Sequence, residues 1–255
     1  MILSISSKQE LDRVFLGTFI ILFVFQIFFW FSYRDIGPDF KIIENPPNKK
    51  FIKAIALGDE EFLFRSLALR LQNSGDIFAG FAPLKNYDYK NLYDWMILLD
   101  NINPNSNVVP HLATYYYSLT QNKKDLVHII DYLDSHASRN LSQKWLWLTH
   151  AVLLANSKYD DQEKALALAK KLADNSNDDL PIWTKQLPAF IYARVGDSCM
   201  AFTIIKNLVD ENESKKRLIT EQEMEFMKHF IEYRLNKLKS EKFDPTKCPD
   251  YKKKS

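Results

Sequence analysis

The chain has 255 residues, and its 34 Lys and Arg residues nearly balance 32 Asp and Glu, for a formal net charge of +2. This balance excludes the strongly basic surface that binding to nucleic-acid phosphates requires, so no nucleic-acid partner is expected. The 6 glycines are too far apart to form a glycine-rich nucleotide-binding loop or a nucleophile elbow. Scarce glycine also disfavours a fold rich in β-hairpins, and the composition therefore favours a helical protein.

The first predicted element is an uncharged, aromatic-rich run from Val14 to Tyr33. A helix over this run is about 30 Å long, which matches the hydrocarbon core of a bilayer. The run ends in large aromatic residues and not in the small residues of a signal-peptidase site, so we predict a retained transmembrane helix and not a cleaved signal peptide. The residues expected to contact the membrane are Phe15, Phe19, Phe23, Gln26, Trp30 and Tyr33.

Basic residues around the span predict its orientation. The amino terminus, Lys8 and Arg13 precede the span, and Arg34 follows it. This count predicts that residues 1–13 are a cytoplasmic segment, although three further lysines between residues 41 and 50 weigh against it. In a bacterium the protein would then be a single-pass inner-membrane protein with its C-terminal domain in the periplasm.

Two segments flank the remaining predicted body. Residues 34–48 contain Gly37 and three prolines, which predicts a stiff, partly extended Pro-rich linker. Residues 241–255 contain two prolines and end in three lysines and a serine, which predicts a flexible basic tail. The helical domain is expected between them, over residues 49–240.

Helical periodicity continues through this domain. Asp59 is a predicted N-cap, and the helix that it begins is expected to end at the run Asn73-Ser74-Gly75. A second helix is predicted over residues 89–102, before Pro104. Further helices are predicted near residues 108–120, 125–136, 142–156, 161–174, 181–194, 198–210 and 220–239. Period-two patterns are scarce, so the predicted fold class is all-α.

A repeat is indicated by leucines at similar points of alternate helices. The leucines are separated by 34, 39 and 36 residues, close to the 34-residue period of tetratricopeptide repeats. They are Leu99, Leu133, Leu172 and Leu208.

Individual residues of the domain also resemble the tetratricopeptide (TPR) family. Small residues stand where paired helices approach closely, at Ala151 with Ala165 and at Ala189 with Ala201. The opening Trp-Leu-Gly of the family is missing, and Pro104 has no clear counterpart in later repeats. The stretch around residues 86–118 also resembles uncharacterised, membrane-anchored bacterial proteins. The resemblance implies a TPR-like α-solenoid of antiparallel helix pairs, whose concave surface would bind a protein partner.

Two groups of aromatic residues are candidate partner-binding sites. The loop over residues 76–89 carries Phe78 and Phe81, and it either binds a partner or caps the first repeat. Three consecutive tyrosines, residues 115–117, cannot all face inward from one helix, so one of them is expected to reach a groove. The candidate groove residues are Tyr116, Tyr117, Trp145 and Arg194.

The sequence shows no motif for catalysis, metal or cofactor binding. The five histidines form no H-E-x-x-H motif, and Cys199 and Cys248 form no C-x-x-C motif. A disulfide between the two cysteines has little support from their positions. We therefore expect no catalytic residues, metal or cofactor.

Three functions remain open. The first is a membrane-anchored, TPR-like scaffold or adaptor that binds a protein partner. The second is an accessory structural subunit of a larger membrane complex, in which Gln26 bonds to a partner span. The third and least favoured is an all-helical enzyme whose catalytic groups meet only in space.

Overall fold

The structure is a computed structural model that describes residues 2–33, 41–77, 80–175, 180–215 and 220–240. The described chain is helical except for loops and one two-residue antiparallel ladder, in which Asp76 pairs with Phe81 and Ile77 with Gly80. The all-α prediction is therefore confirmed. The chain divides into two compact units, Met1–Lys41 and Ile42–Ser255.

The first unit consists of one helix, α1, which covers Ile2–Tyr33. Its segment Arg13–Tyr33 is long and apolar enough to cross a membrane, and none of its most apolar part is buried. The predicted membrane-facing residues are all exposed along it, at Phe15, Phe19, Phe23, Gln26, Trp30 and Tyr33. The prediction of an apolar helix of spanning length is thus confirmed.

The second unit contains ten further helices among the described residues. They are α2 (Lys49–Ala56), α3 (Glu60–Gln72), α4 (Tyr89–Ile102), α5 (Val108–His111), α6 (Leu126–Ser138), α7 (Leu141–Leu153), α8 (Gln162–Ala173), α9 (Trp183–Arg194), α10 (Ser198–Lys215) and α11 (Glu221–Ser240). The strands of the ladder are β1 (Asp76–Ile77) and β2 (Gly80–Phe81). Wider π-helical turns extend α5 over Leu112–Tyr116 and α7 over Leu154–Tyr159.

Helices that are adjacent in sequence also pack against each other. Successive contacts link α6, α7, α8, α9, α10 and α11, while α4 packs on both α3 and α6. One large cluster of buried apolar side chains extends from Ile43 to Ile191. A second, smaller cluster lies among α9, α10 and α11 and includes Ile205 and Met227.

Local capping explains several helix boundaries. The side chain of Asp59 accepts a hydrogen bond from the backbone N–H of Phe62 at 2.9 Å, which confirms the predicted N-cap of α3. The helix ends at Gln72, and Asn73 is its C-cap, as predicted. The α4 helix has the predicted bounds, with Pro104 two residues beyond its end. The sequence patterns missed α2 and both π-helical turns.

The end of the predicted linker belongs to the helical body. Ile43 is buried, and the backbone oxygen atoms of Ile43 and Glu44 accept hydrogen bonds from Asn91 Nδ2 at 2.8 and 3.0 Å. Trp95 Nε1 also donates to the Glu44 carbonyl at 2.6 Å. These bonds hold the extended backbone against α4, because the buried polar groups of Asn91 and Trp95 need partners. Residues 34–40 of the predicted linker lie outside the described residues.

Candidate functional site

An open groove of about 570 Å³ lies where the end of α3 meets the beginning of α5. We call it the aromatic groove. Val108, Tyr115 and Tyr116 expose large apolar or aromatic surfaces there. The residues that line it are Gln72, Asn107, Val108, His111, Leu112, Tyr115 and Tyr116. Such a lining suits an apolar or aromatic side chain of a binding partner.

The π-helical turn over Leu112–Tyr116 orients the three consecutive tyrosines. Its last backbone N–H, from Tyr117, reaches back to the carbonyl of Leu112. Tyr117 faces the core with 0% of its surface exposed, whereas Tyr115 and Tyr116 remain exposed to 57% and 37%. One tyrosine of this run was expected to reach a groove, and the structure exposes two of them. π-Helical turns are frequent at functional sites.

Asn107 lines the aromatic groove and accepts hydrogen bonds from two neighbouring side chains. Its backbone carbonyl accepts a hydrogen bond from His111 Nδ1 at 2.7 Å, which places the ring proton on Nδ1. Its side-chain oxygen accepts a bond from Trp147 Nε1 on α7 at 3.2 Å. The rings of His111 and Trp147 meet edge to face with centroids 4.8 Å apart. Asn107 thereby joins α5 to α7 through both its backbone and its side chain.

His150 of α7 contacts Tyr115, one of the residues that line the groove. Its Nε2 atom lies 3.2 Å from the hydroxyl of Tyr115, and its ring packs between Tyr115 and Trp147. Burial lowers the pKa of His150, and the nearby His111 lowers this pKa further. A lowered pKa favours an uncharged imidazole at neutral pH, which suits a groove for uncharged apolar groups.

Three buried tyrosines, Tyr87, Tyr89 and Tyr117, donate hydrogen bonds to backbone carbonyls next to the groove. The Tyr117 hydroxyl donates to the Leu71 carbonyl at 2.6 Å, and the Tyr89 hydroxyl donates to the Tyr117 carbonyl at 2.8 Å. The Tyr87 hydroxyl donates to the Ser74 carbonyl. Gly75 allows this approach, because its φ is +89° and a Cβ atom there would collide with the Tyr87 ring.

Burial controls the ionisation of this cluster. It raises the pKa of Tyr89 to about 12 and raises the pKa values of Tyr87 and Tyr117 further above the ordinary value. The three phenols therefore stay protonated at physiological pH and act as hydrogen-bond donors. They give Tyr116, whose ring packs on Tyr117 with centroids 5.0 Å apart, a rigid base.

The other predicted groove residues do not join the aromatic groove. Tyr117, predicted to bind a partner, is fully buried and does not line the groove. Trp145 is partly buried and packs edge to face on Trp183, with ring centroids 5.5 Å apart. Arg194 pairs at 3.1 Å with Asp160, in the turn that follows α7. Of the four predicted residues, the groove lining contains Tyr116.

Of the two phenylalanines in the predicted aromatic loop, the structure describes Phe81 and not Phe78. Phe81 is 82% exposed at the end of the ladder. Phe78 lies outside the described residues. Tyr87 and Tyr89 at the end of the same loop are buried. Burial of these tyrosines and exposure of Phe81 thus coexist in one loop.

Sequence patterns did not identify a buried polar network between α4 and α6. The Asp100 carboxylate accepts a hydrogen bond from the Tyr132 hydroxyl at 2.9 Å and contacts His136 Nδ1 at 2.7 Å. Arg139 donates to the Asp100 backbone carbonyl at 2.7 Å. Asp100, Tyr132 and His136 are at most 1% exposed, so this network fastens helices together and is closed to a substrate. The i, i+4 spacing of Tyr132 and His136 is the one local signal for it.

The remaining candidate chemistry concerns metal-ligating residues and the cysteines. Within the described ranges, the structure has no group of three or more His, Cys, Asp or Glu residues positioned to hold a metal ion. Cys199, in α10, is disulfide-bonded. The sequence contains one other cysteine, Cys248, which lies outside the described residues.

Comparisons of the chain with protein-family models, with curated proteins and with solved structures find no match.

Proposed function

We propose that the protein is a single-pass, membrane-anchored adaptor whose aromatic groove binds an apolar segment of a protein partner. The observation that carries this proposal is the exposure of Tyr115 and Tyr116 above a hydrogen-bonded base. Exposed tyrosines on a rigid base are typical binding hot spots, because they bury much area and lose little conformational entropy. The apolar helix α1 would keep this groove near a membrane.

We further propose that the body is a TPR-like stack of helix pairs. The sequential contacts from α6 to α10 support this arrangement. The small residues expected at close helix contacts support it too, because Ala151, Ala165, Ala189 and Ala201 have no exposed surface. A stack of this kind presents one continuous surface to a partner.

The disulfide-bonded state of Cys199 supports a proposed location for the helical body outside the cytoplasm. Disulfides persist in oxidising compartments such as the bacterial periplasm and are rare in a reducing cytosol. We propose a bacterial inner-membrane protein with a periplasmic C-terminal domain. In intact spheroplasts, external protease should digest the domain, and Cys199 should resist thiol alkylation until a reductant is added. Protease protection together with immediate alkylation would contradict this location.

Site-specific photo-crosslinking of the full chain in its native membrane tests the groove. A photoreactive phenylalanine analogue at Tyr116 should link the chain to one reproducible protein partner. Tyr115→Ala should then reduce binding of that purified partner by about thirtyfold or more, because truncating a hot-spot residue costs at least about 2 kcal/mol. Tyr233→Ala is a matched control in α11, since Tyr233 is 58% exposed and Tyr115 is 57% exposed.

The control separates groove binding from general effects of removing an exposed tyrosine. Tyr233→Ala should leave the partner affinity unchanged, and both variants should keep the helical circular-dichroism spectrum of the parent chain. Equal affinities for the parent chain and for Tyr115→Ala would contradict the groove proposal.

The alternative is an accessory structural subunit, and Gln26 favours it. This amide is exposed on α1 among apolar neighbours, where a hydrogen bond to a second membrane helix would stabilise assembly. Gln26→Leu would then abolish co-purification of the complex and leave groove binding intact. The adaptor proposal expects the opposite dependence, on Tyr115 and not on Gln26.

A further inference from the structure

Helix α2 has two apolar faces, and the body covers one of them. Ile52 and Ala56 are buried in the core. Phe51 and Ile55 lie one helical turn apart, about 100° around the helix from Ile52 and Ala56, and 60% of Phe51 and 47% of Ile55 remain exposed. Leu57, directly after the helix, is 92% exposed. We call Phe51, Ile55 and Leu57 the α2 patch.

The backbone at Leu57 adds a second observation. Its φ of +47° is left-handed, a conformation that costs about 1–2 kcal/mol for residues with a Cβ atom. A large apolar side chain at such a position is uncommon, because glycine or asparagine would relieve the strain. The fold therefore accepts both backbone strain and exposed apolar surface here, a combination that points to a ligand for the patch.

The charge of α2 indicates the kind of ligand. The helix contains Lys49, Lys50 and Lys53 and no acidic residue. Three acidic residues follow α2, namely Asp59, Glu60 and Glu61; Asp59 caps α3, and Glu61 pairs with Arg65 at 2.7 Å. Basic and exposed apolar residues in one short helix are typical of helices that lie in a bilayer interface.

The position of α2 in the chain favours a lipid surface over a second copy of the protein. Residues 34–41 separate α1 from the backbone that is bonded to α4 at Ile43 and Glu44, and a fully extended chain of eight residues reaches at most about 29 Å. A tether of this length keeps the local concentration of the bilayer surface high, so a small patch suffices for binding. Two copies of α2 would instead bring lysine-rich segments together, and like charges repel.

We propose that α2 binds the surface of an anionic bilayer, with the α2 patch at the boundary between headgroups and acyl chains. The lysines of the helix supply the attraction to anionic headgroups. The body then has a second membrane attachment in addition to α1. This contact uses none of the residues of the aromatic groove, so it stands or fails independently of the proposed partner binding.

Photo-crosslinking in reconstituted vesicles tests this contact with the full chain. One variant carries p-benzoylphenylalanine in place of Phe51, and the matched control carries it in place of Phe226, which is 50% exposed on α11. In vesicles of phosphatidylethanolamine and phosphatidylglycerol, the probe at Phe51 should label lipid and the probe at Phe226 should not. Replacing Lys50 or Lys53 by Gln should lower this labelling by up to about fivefold each.

Each other outcome overturns the proposal. Equal lipid labelling from the two positions would show that the span alone brings lipid near the body. Cross-links from Phe51 to a second copy would identify a self-association surface. Equal labelling in vesicles of phosphatidylcholine would exclude recognition of anionic headgroups. Because Phe51 is exposed, the substituted chains should retain the parent circular-dichroism spectrum, which is checked before irradiation.

Discussion

His136 Nδ1 lies 2.7 Å from a carboxylate oxygen of Asp100, and both side chains are excluded from solvent. The contact joins the last turns of α4 and α6 within the body core. The Tyr132 hydroxyl also donates a hydrogen bond to the Asp100 carboxylate, and Arg139 donates one to the Asp100 backbone carbonyl. A buried acid held by several partners is costly to disturb, because removing one group leaves the others without compensation.

Asp100→Ala should therefore destabilise the protein strongly. We expect a loss of about 3–5 kcal/mol in the free energy of unfolding, because the substitution leaves the buried polar groups of Tyr132 and His136 without their partner. Denaturant unfolding of the detergent-solubilised full chain, followed by tryptophan fluorescence, measures it. Asp131→Ala is the control, since it removes a partly exposed pair with Lys164 and should cost at most about 1 kcal/mol. Similar losses in the two variants would contradict a special role for Asp100.

His150 should make the stability depend on pH. Its pKa is lowered in the folded chain, mainly by burial, so the unfolded chain binds its proton more readily. The stabilising contribution of the neutral ring is complete above the ordinary pKa of about 6.5 and is lost as the pH falls below it. The parent chain should therefore lose more stability than His150→Phe between pH 7 and pH 5, as measured by denaturant unfolding. Parallel pH profiles would contradict this prediction.

Tyr117 should remain protonated in alkaline solution for as long as the protein is folded. Its pKa is raised by burial first and by the neighbouring Tyr87 second. Tyr117→Phe should leave the phenolate absorbance gained between pH 9 and pH 11 unchanged in the folded chain. In denaturant the same substitution should remove one of 12 tyrosine contributions. An equal loss in folded and unfolded protein would show that Tyr117 is accessible.

The same tyrosine tests the base of the groove. Its hydroxyl donates to the Leu71 carbonyl, which also accepts a hydrogen bond from the Ser74 backbone N–H at 3.1 Å. Tyr117→Phe therefore removes one hydrogen bond without leaving the carbonyl unpaired, and we expect a loss of about 0.5–1.5 kcal/mol in the free energy of unfolding. Thermal or denaturant unfolding measures the loss, and an unchanged stability would show that the Ser74 bond alone is sufficient for this carbonyl.

Local sequence patterns predicted the features that depend on neighbours in the chain. Asp59 predicted the start of α3, because a side-chain cap acts within three residues. The uncharged run that ends at Tyr33 predicted an apolar helix, because length and composition decide whether a helix can span a membrane. The short helix α2 was missed, since Pro46 and Pro47 before it predict an extended spacer.

Features formed between distant segments could not be predicted in this way. The sequence marked Tyr115, Tyr116 and Tyr117 as a set that cannot all be buried, but not which of them faces the core. The choice depends on the π-helical turn and on Leu71, which lies 46 residues away from Tyr117. Asp100 likewise meets His136 across 36 residues, and the i, i+4 spacing of Tyr132 and His136 does not predict which acidic residue they meet.

By itself, the sequence determined an all-helical chain with one apolar helix of spanning length, because helical periodicity, capping and apolar length act over a few turns. The tertiary structure alone decided that Tyr117 is buried while Tyr115 and Tyr116 line a groove. It also decided that Ile52 faces the core while Phe51 stays exposed. The physical reason is that burial depends on which distant helix covers a face, and that partner is encoded elsewhere in the chain.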